Sequence, residues 1–108
     1  MLRLQTVLPG VMFFGFASSA IACNPEGMVG RWKCNGPSCT PGHDVSEFAK
    51  NEDGSFRWVD GVGTVSTAVV GNVNITVTFP NGTQYSGVIV GSCHQIQWPG
   101  NNHYDTKE

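Results

Sequence analysis

The chain has 108 residues and a formal net charge of −2, with 13% charged and 40% hydrophobic residues. This length is that of one small domain. The 6 Lys and Arg residues against 8 Asp and Glu exclude an extended basic surface for nucleic acid, and the hydrophobic content argues against a long disordered tail.

Residues 1–22 have the features of a secretory signal peptide. A positive charge near the start precedes an uncharged apolar run that is shorter than the ~20 residues a membrane-spanning helix needs. Ala20 and Ala22 occupy the −3 and −1 positions of a small-residue cleavage site. We therefore predict a secreted protein that begins at Cys23, with one β domain over residues 23–108 and no membrane span.

All four cysteines of the chain follow the predicted cleavage site: Cys23, Cys34, Cys39 and Cys93. An even number of cysteines in a short exported chain predicts two disulfides, and the spacing allows three pairings. We favour a bridge from the Cys34/Cys39 region to Cys93, with the remaining bridge to Cys23. The alternatives are a zinc site, for which the spacing of Cys34 and Cys39 is a poor match, and a lipidated Cys23, since the junction is distantly similar to a lipobox.

The exported part predicts about six short strands separated by turns rich in Gly, Pro and Asn. The segment 43–50 is a helix candidate because Asp44 and Glu47 have the spacing of a capping box, although a strand is the alternative. The polar tail after residue 102 is expected to be loose. The predicted strands cover residues 29–34, 55–59, 65–70, 73–79, 85–89 and 93–98.

A hairpin is predicted where the alternation is clearest, over residues 73–89. A three-residue turn over Pro80–Gly82, with Gly82 left-handed, pairs Val77 with Tyr85 and keeps the apolar face continuous. The fold class is therefore all-β, a small antiparallel β-barrel or sandwich stabilised by disulfides. The predicted core is Trp32, Phe56, Trp58, Val73, Ile75, Val77, Phe79, Tyr85, Ile89, Ile96 and Trp98.

No pattern in the chain predicts a cofactor or an established catalytic motif. His94, His103 and Asp105 form a conceivable metal group, but histidines in solvated loops are the simpler interpretation, and we predict no metal. The tryptophans are expected in the core, with glycan stacking on an exposed Trp58 or Trp98 as an alternative.

Two ends of the chain resemble small secreted guanyl-specific ribonucleases of the fungal type. The residues that carry the resemblance are Trp32–Cys34, Cys39, Asp44–Ser46, His94 and Gly100–Asn102. The resemblance implies a short helix after the early cysteines and a catalytic role for His94. The middle of the chain lacks the glutamate and the arginine of that family, so this alternative carries an incomplete active site.

Two further resemblances concern barrels. Trp32-x-Cys34, Asn81–Tyr85 and Trp98–Gly100 are similar in order to small periplasmic lysozyme inhibitors, and Gly30-Arg31-Trp32 resembles the Gly-x-Trp at the start of lipocalins and avidins. Because only 86 residues follow the predicted cleavage site, we expect no deep small-molecule pocket.

The favoured function is therefore a non-catalytic binding protein, similar to effectors, toxins or inhibitors, that acts on an extracellular or host protein. Loops supply the contact surface because the strands are committed to the core. The predicted surface combines the loops 35–43 and 99–104, with contacts from Asn101, Asn102, His103 and Tyr104. Asn74 and Asn81 begin glycosylation sequons.

Overall fold

The computed structural model describes residues 23–108, which form an all-β domain. Eight antiparallel strands follow one another in chain order, and the last pairs with the first, which closes the sheet into a barrel. A 3-10 helix over Pro25–Met28 precedes them. The strands are β1 (Gly30–Asn35), β2 (Val45–Lys50), β3 (Phe56–Val59), β4 (Val65–Val70), β5 (Asn74–Thr78), β6 (Gln84–Val90), β7 (Gln95–Trp98) and β8 (His103–Lys107). The predicted signal peptide, residues 1–22, lies outside the described residues.

The predicted all-β fold is confirmed, but the barrel has eight strands instead of about six. One additional strand is β2, where the helix candidate stood. Phe48 of β2 is fully buried and stacks on Phe56 of β3, with ring centroids 5.1 Å apart. A helix of two turns is marginal by itself, so pairing with β1 and β3 and the burial of Phe48 decide the conformation.

The other additional strand is β8, which replaces the tail that was predicted to be loose. It pairs with β7 on one side and with β1 on the other, so it closes the barrel and removes both sheet edges. Two of its inward positions hold the polar residues His103 and Asp105. The alternation of apolar residues that marks a strand in a sequence is therefore missing here.

The barrel interior holds most of the predicted core. Phe56 and Phe79 are partly buried and pack against it. Val73 and Tyr85 are 38% and 36% exposed, because they lie at the ends of the barrel instead of its middle. The predicted core residues that are buried are Trp32, Trp58, Ile75, Val77, Ile89, Ile96 and Trp98.

The predicted β5–β6 hairpin is confirmed in its register and its turn. Val77 pairs with Tyr85, and the N–H of Phe79 donates to the carbonyl of Thr83 at 2.8 Å. Gly82 has a φ of 89°, the left-handed conformation that the three-residue turn requires of it. The turn therefore keeps Ile75 and Val77 on the inner face.

One end of the barrel, called the closed end here, is covered by the segment that precedes β1. Met28 is fully buried, and the indole N–H of Trp32 donates to the Met28 carbonyl at 2.9 Å. A disulfide between Cys23 and Cys93 fastens this segment to the β6–β7 turn. The opposite end, called the open end, carries the loops 36–44, 60–64, 79–83 and 99–102.

The predicted involvement of all four cysteines in disulfides is confirmed, but the favoured pairing is wrong. The bridges are Cys23–Cys93 at the closed end and Cys34–Cys39 at the open end. β7 runs from the closed end to the open end, so Cys93 stands far from the Cys34 region. Chain spacing alone carries no information on which end of a barrel a turn occupies.

Candidate functional site

A pocket of about 300 Å³ enters the barrel from its open end. Its apolar walls are Trp58, Val77, Phe79, Tyr85 and Trp98. This pocket lies at the mouth of the barrel, so the expectation that the protein has no deep small-molecule pocket stays a prediction. Eight strands, two more than the sequence pattern indicated, give a barrel wide enough to leave space at one end.

A buried carboxyl group lies in this pocket. Asp105 of β8 is 3% exposed, and its Oδ2 accepts a hydrogen bond from the indole Nε1–H of Trp98 at 3.1 Å. Burial raises the pKa of the Asp105 carboxyl, while the Trp98 hydrogen bond and the nearby His103 act in the opposite direction. Trp98 stands beside Asp105 because Gly87 lacks a side chain: a Cβ there would lie 3.0 Å from Trp98 Cε3.

The loops on either side of the pocket are joined to each other. The hydroxyl of Ser38, in the β1–β2 loop, donates to the carbonyl of Asn101, in the β7–β8 turn, at 2.5 Å. His103 Nδ1 lies 3.0 Å from the same hydroxyl and 3.2 Å from the Asn101 carbonyl. The Cys34–Cys39 disulfide adds a covalent tie within the first loop. This rim of the pocket is therefore held in place before any ligand binds.

Two more carboxylates lie around the pocket opening. Asp44 Oδ2 accepts from Lys33 Nζ at 2.5 Å, and this hydrogen bond lowers the pKa of Asp44. Asp60 Oδ1 accepts the backbone N–H groups of Val62 and Thr64, at 3.1 and 2.8 Å, which shapes the β3–β4 turn. The pocket lining contains no Lys or Arg, and its basic side chains are the imidazoles of His43 and His103.

The metal group considered from the sequence is not assembled. His94 lies in the β6–β7 turn at the closed end, whereas His103 and Asp105 lie at the open end. A different group, Cys34, His103 and Asp105, has ligand atoms within 4.8 Å of one another. The Cys34 sulfur belongs to a disulfide, so one imidazole and one carboxylate remain, short of the usual three or four protein ligands of zinc.

The predicted contact surface is brought together in part. Asn101 and His103 line the pocket, and His103 also lines a second depression on the outside of the barrel together with Asn102 and Tyr104. The two loops do meet, as predicted, but the Ser38 contacts join them and no bridge to Cys93 does. His103 and Tyr104 are neighbours on β8, so their side chains point to opposite faces of the sheet. The sequence analysis assigned both to one loop, where this alternation does not apply.

The residues that the sequence analysis missed are the buried polar and aromatic members of the pocket. Asp105 was considered only as a metal ligand, and Asp60 follows the predicted strand 55–59 without an assigned role. Trp58 and Trp98 were expected in the core, and they are there at 5% and 4% exposure, yet both also line the pocket. One signal could have pointed to the site: Asp44 directly precedes β2 and Asp60 directly follows β3, which places both at the same rim.

The residues that carry the ribonuclease resemblance lie apart. His94 is at the closed end, and the Gly100–Asn102 turn is at the open end, with β7 between them. The short helix that the resemblance implies is the strand β2. His94 Nδ1 lies 2.9 Å from the carbonyl of Ser92 in its own turn.

Two covalent modifications were considered from the sequence. The Cys23 sulfur is bonded to Cys93, so in this structure it is not free to carry an acyl chain. Asn74 and Asn81 are both exposed, and Asn81 lies in the β5–β6 turn at the open end. Glycosylation at these sequons stays a prediction. Within residues 23–108, no helix is long and apolar enough to cross a membrane.

Comparisons with family models, curated proteins and solved structures found no match to this chain.

Proposed function

We propose that this protein is a small secreted binding protein, similar to effectors, toxins or inhibitors, which binds an extracellular or host protein with the open end of its barrel. The observation that carries the proposal is the joined rim at Ser38, Asn101 and His103 around an open pocket. A rim that is already ordered loses little conformational entropy on binding, which favours affinity.

Export is part of the same proposal. The features of residues 1–22 predict a signal peptide, and two disulfides are compatible with an oxidising, extracellular environment. The closed end is occupied by the buried Met28 and the Cys23–Cys93 bridge. The open end is thus the end of the barrel where the described chain leaves polar and aromatic groups accessible to a partner.

The first experiment identifies the partner. The protein, exported from an expression host with both disulfides formed, is immobilised and exposed to extracellular fluid from its natural setting. Bound proteins are identified by mass spectrometry and then purified for affinity measurements. We expect one specific partner, and the absence of any retained protein contradicts the proposal.

The second experiment locates the binding end. Asn101→Ala, at the pocket rim, is compared with Glu52→Ala, an exposed residue of the β2–β3 turn at the closed end. We expect Asn101→Ala to weaken the affinity for the partner by about tenfold, which corresponds to about 1.4 kcal/mol, and Glu52→Ala to leave that affinity unchanged. Equal losses in both variants, or a loss only in Glu52→Ala, contradict binding at the open end.

The ribonuclease-like alternative is tested beside these measurements. It predicts RNA cleavage at catalytic protein concentrations, lost in His94→Ala. If the protein is a binding protein, we expect no RNA cleavage. Because His94 lies at the closed end, we also expect His94→Ala to leave the affinity for the partner unchanged.

A further inference from the structure

We propose that the pocket at the open end binds an organic monocation, an alkylammonium or guanidinium group, against its aromatic walls and facing Asp105. This inference rests on the proposed function, because it takes the open end as the binding end. It adds the chemical class of the group that the end receives.

Carboxyl groups predominate around the pocket. Asp44, Asp60 and Asp105 contribute to its lining together with the imidazoles of His43 and His103, while no Lys or Arg does. Lys33 reaches Asp44 from outside the lining and neutralises one of the three carboxylates. The other Lys and Arg side chains of residues 23–108 belong to positions nearer the closed end: Arg31, Lys50, Arg57 and Lys107. A pocket with this balance attracts cations and repels phosphates and carboxylates.

The hydrogen bonding of the Asp105 side chain is incomplete. An ionised carboxylate offers about four acceptor positions. Within the part of the chain that the structure describes, the Asp105 side chain accepts one hydrogen bond, from Trp98 Nε1. Its exposed fraction is 3%, so bulk water reaches it poorly. The His103 imidazole lies within 4.8 Å of the carboxyl, and the structure shows no hydrogen bond between the two. Buried polar groups are unfavourable unless they are hydrogen-bonded, and a bound cation would fill the open acceptor positions of Asp105.

Aromatic side chains form much of the pocket wall. Trp58 and Trp98 meet edge to face, with ring centroids 5.8 Å apart, and Phe79 and Tyr85 do the same at 5.3 Å. All four contribute to the pocket lining. Aromatic faces attract organic cations, and more strongly when the site is shielded from water. Aromatic walls with a carboxylate behind them match a cation that also has apolar surface.

The volume of the pocket and the lack of free metal ligands restrict the class of ligand that it can bind. A volume of about 300 Å³ is at the lower limit of small-molecule pockets, so a single head group fits better than an extended ligand. A metal ion is a poorer match, because the Cys34 sulfur beside His103 and Asp105 is held in a disulfide. Quaternary ammonium, primary ammonium and guanidinium groups need no set of metal ligands.

The test uses the exported protein with both disulfides formed and records the tryptophan indole N–H signals by NMR. Choline is the probe, and 3,3-dimethylbutan-1-ol is its neutral analogue of the same shape. We expect choline to shift the Trp98 signal with saturation at millimolar concentration and to bind at least about tenfold more tightly than the alcohol. Equal affinity of the two compounds, or no shift with choline or arginine, overturns the proposal.

A pair of variants assigns the charge. Asp105→Asn keeps an acceptor for Trp98 and removes the charge, while Asp53→Asn removes a charge from the β2–β3 turn at the closed end. We expect about tenfold weaker choline binding in Asp105→Asn and no change in Asp53→Asn. Unchanged choline binding in a folded Asp105→Asn contradicts the proposal. The choline and alcohol comparison in the unsubstituted protein decides the matter if that variant does not fold.

Further titrations identify the source of the cation. Tighter binding of N-acetyl-arginine amide than of choline indicates a side chain of a protein partner, and the reverse indicates a free small amine. Zinc that displaces choline from the oxidised protein contradicts the organic class. A captured protein partner whose affinity is unaffected by saturating choline and by Asp105→Asn overturns this inference while the proposed function stands. If the unsubstituted protein retains no partner and shows no choline shift, both the proposed function and this inference are overturned.

Discussion

Trp98 donates its indole N–H to the carboxyl of Asp105 at 3.1 Å, within the barrel and across the pairing of β7 with β8. Trp98 is 4% exposed and Asp105 is 3% exposed, so this contact connects the hydrophobic core directly to the pocket. A buried carboxyl group is costly for a protein interior, and perturbed carboxyl groups are common at functional sites, so its placement at the pocket supports the proposal that the open end is the binding end.

The first prediction concerns the pH dependence of stability. Burial raises the pKa of Asp105 above its value in the unfolded chain, so the folded state holds its proton to higher pH than the unfolded state. The stability of the unsubstituted protein therefore falls as the pH rises above ~4 through the folded pKa. Asp105→Asn lacks this loss. Urea unfolding at pH 3 and pH 7 should show Asp105→Asn gaining stability relative to the unsubstituted protein as the pH rises.

Asp53 provides the matched control with the opposite sign. A hydrogen bond from the Ser55 side chain lowers the pKa of Asp53. Its contribution is therefore present at neutral pH and is lost as the pH falls through the folded pKa. Asp53→Asn should be less stable than the unsubstituted protein at pH 7, with a smaller difference at pH 3. The same pH trend in both variants would contradict the assignment of Asp105 as the buried carboxyl.

The second prediction compares the two disulfides. Cys23–Cys93 joins residues 70 positions apart, and Cys34–Cys39 joins residues 5 apart. The loss of chain entropy in the unfolded state is greater for the longer loop, at about 4 against about 2 kcal/mol. The pair Cys23→Ser and Cys93→Ser should therefore lower the free energy of unfolding more than the pair Cys34→Ser and Cys39→Ser. Denaturant titrations in which the second pair is the more damaging would contradict this account.

The third prediction concerns the space that Gly87 leaves for Trp98. A Cβ at Gly87 would lie 2.6 Å from Ile96 Cγ2 and 3.0 Å from Trp98 Cε3. Gly87→Ala should lower the free energy of unfolding by about 1–3 kcal/mol through overpacking, and should change the near-ultraviolet circular dichroism of the tryptophans. Gly71→Ala is the control, since no atom lies within 4 Å of the added Cβ. An unchanged spectrum in Gly87→Ala would indicate that Trp98 is placed differently.

The fourth prediction concerns the exported form. Intact mass spectrometry of the protein from its natural source should give the mass of residues 23–108 with four cysteines oxidised, increasing by the mass of four hydrogen atoms on reduction. A mass that includes residues 1–22 contradicts cleavage after Ala22. Added acyl chains on Cys23 contradict the Cys23–Cys93 bridge.

The sequence predicted the parts of the fold in which one face of a strand is apolar. The β5–β6 hairpin is the clearest case, because the alternation through Ile75 and Val77 and the turn at Gly82 determine a single register. The same reasoning failed for β8, where the inward side chains are His103 and Asp105. Inward polar residues cannot be distinguished from a solvated tail until both neighbouring strands are known.

The site was harder to predict than the fold for the same physical reason. Its groups come from separate strands that meet only when the barrel closes, as Trp98 and Asp105 do. The loop prediction names Asn101 and His103, which line the pocket, because turns are exposed by default. It also names Tyr104, which faces the outside of the barrel, and the role of these residues as contacts stays a prediction.

The central claim is that this protein binds its partner with the open end of the barrel. The most direct measurement is photocrosslinking with benzoylphenylalanine placed at Asn101 in one sample and at Glu52, at the closed end, in another. Both samples are irradiated in extracellular fluid from the natural setting, and the crosslinked proteins are identified by mass spectrometry. We predict a protein adduct at position 101 that is absent at position 52. Adducts at position 52 alone, or the same adducts at both positions, would contradict the claim.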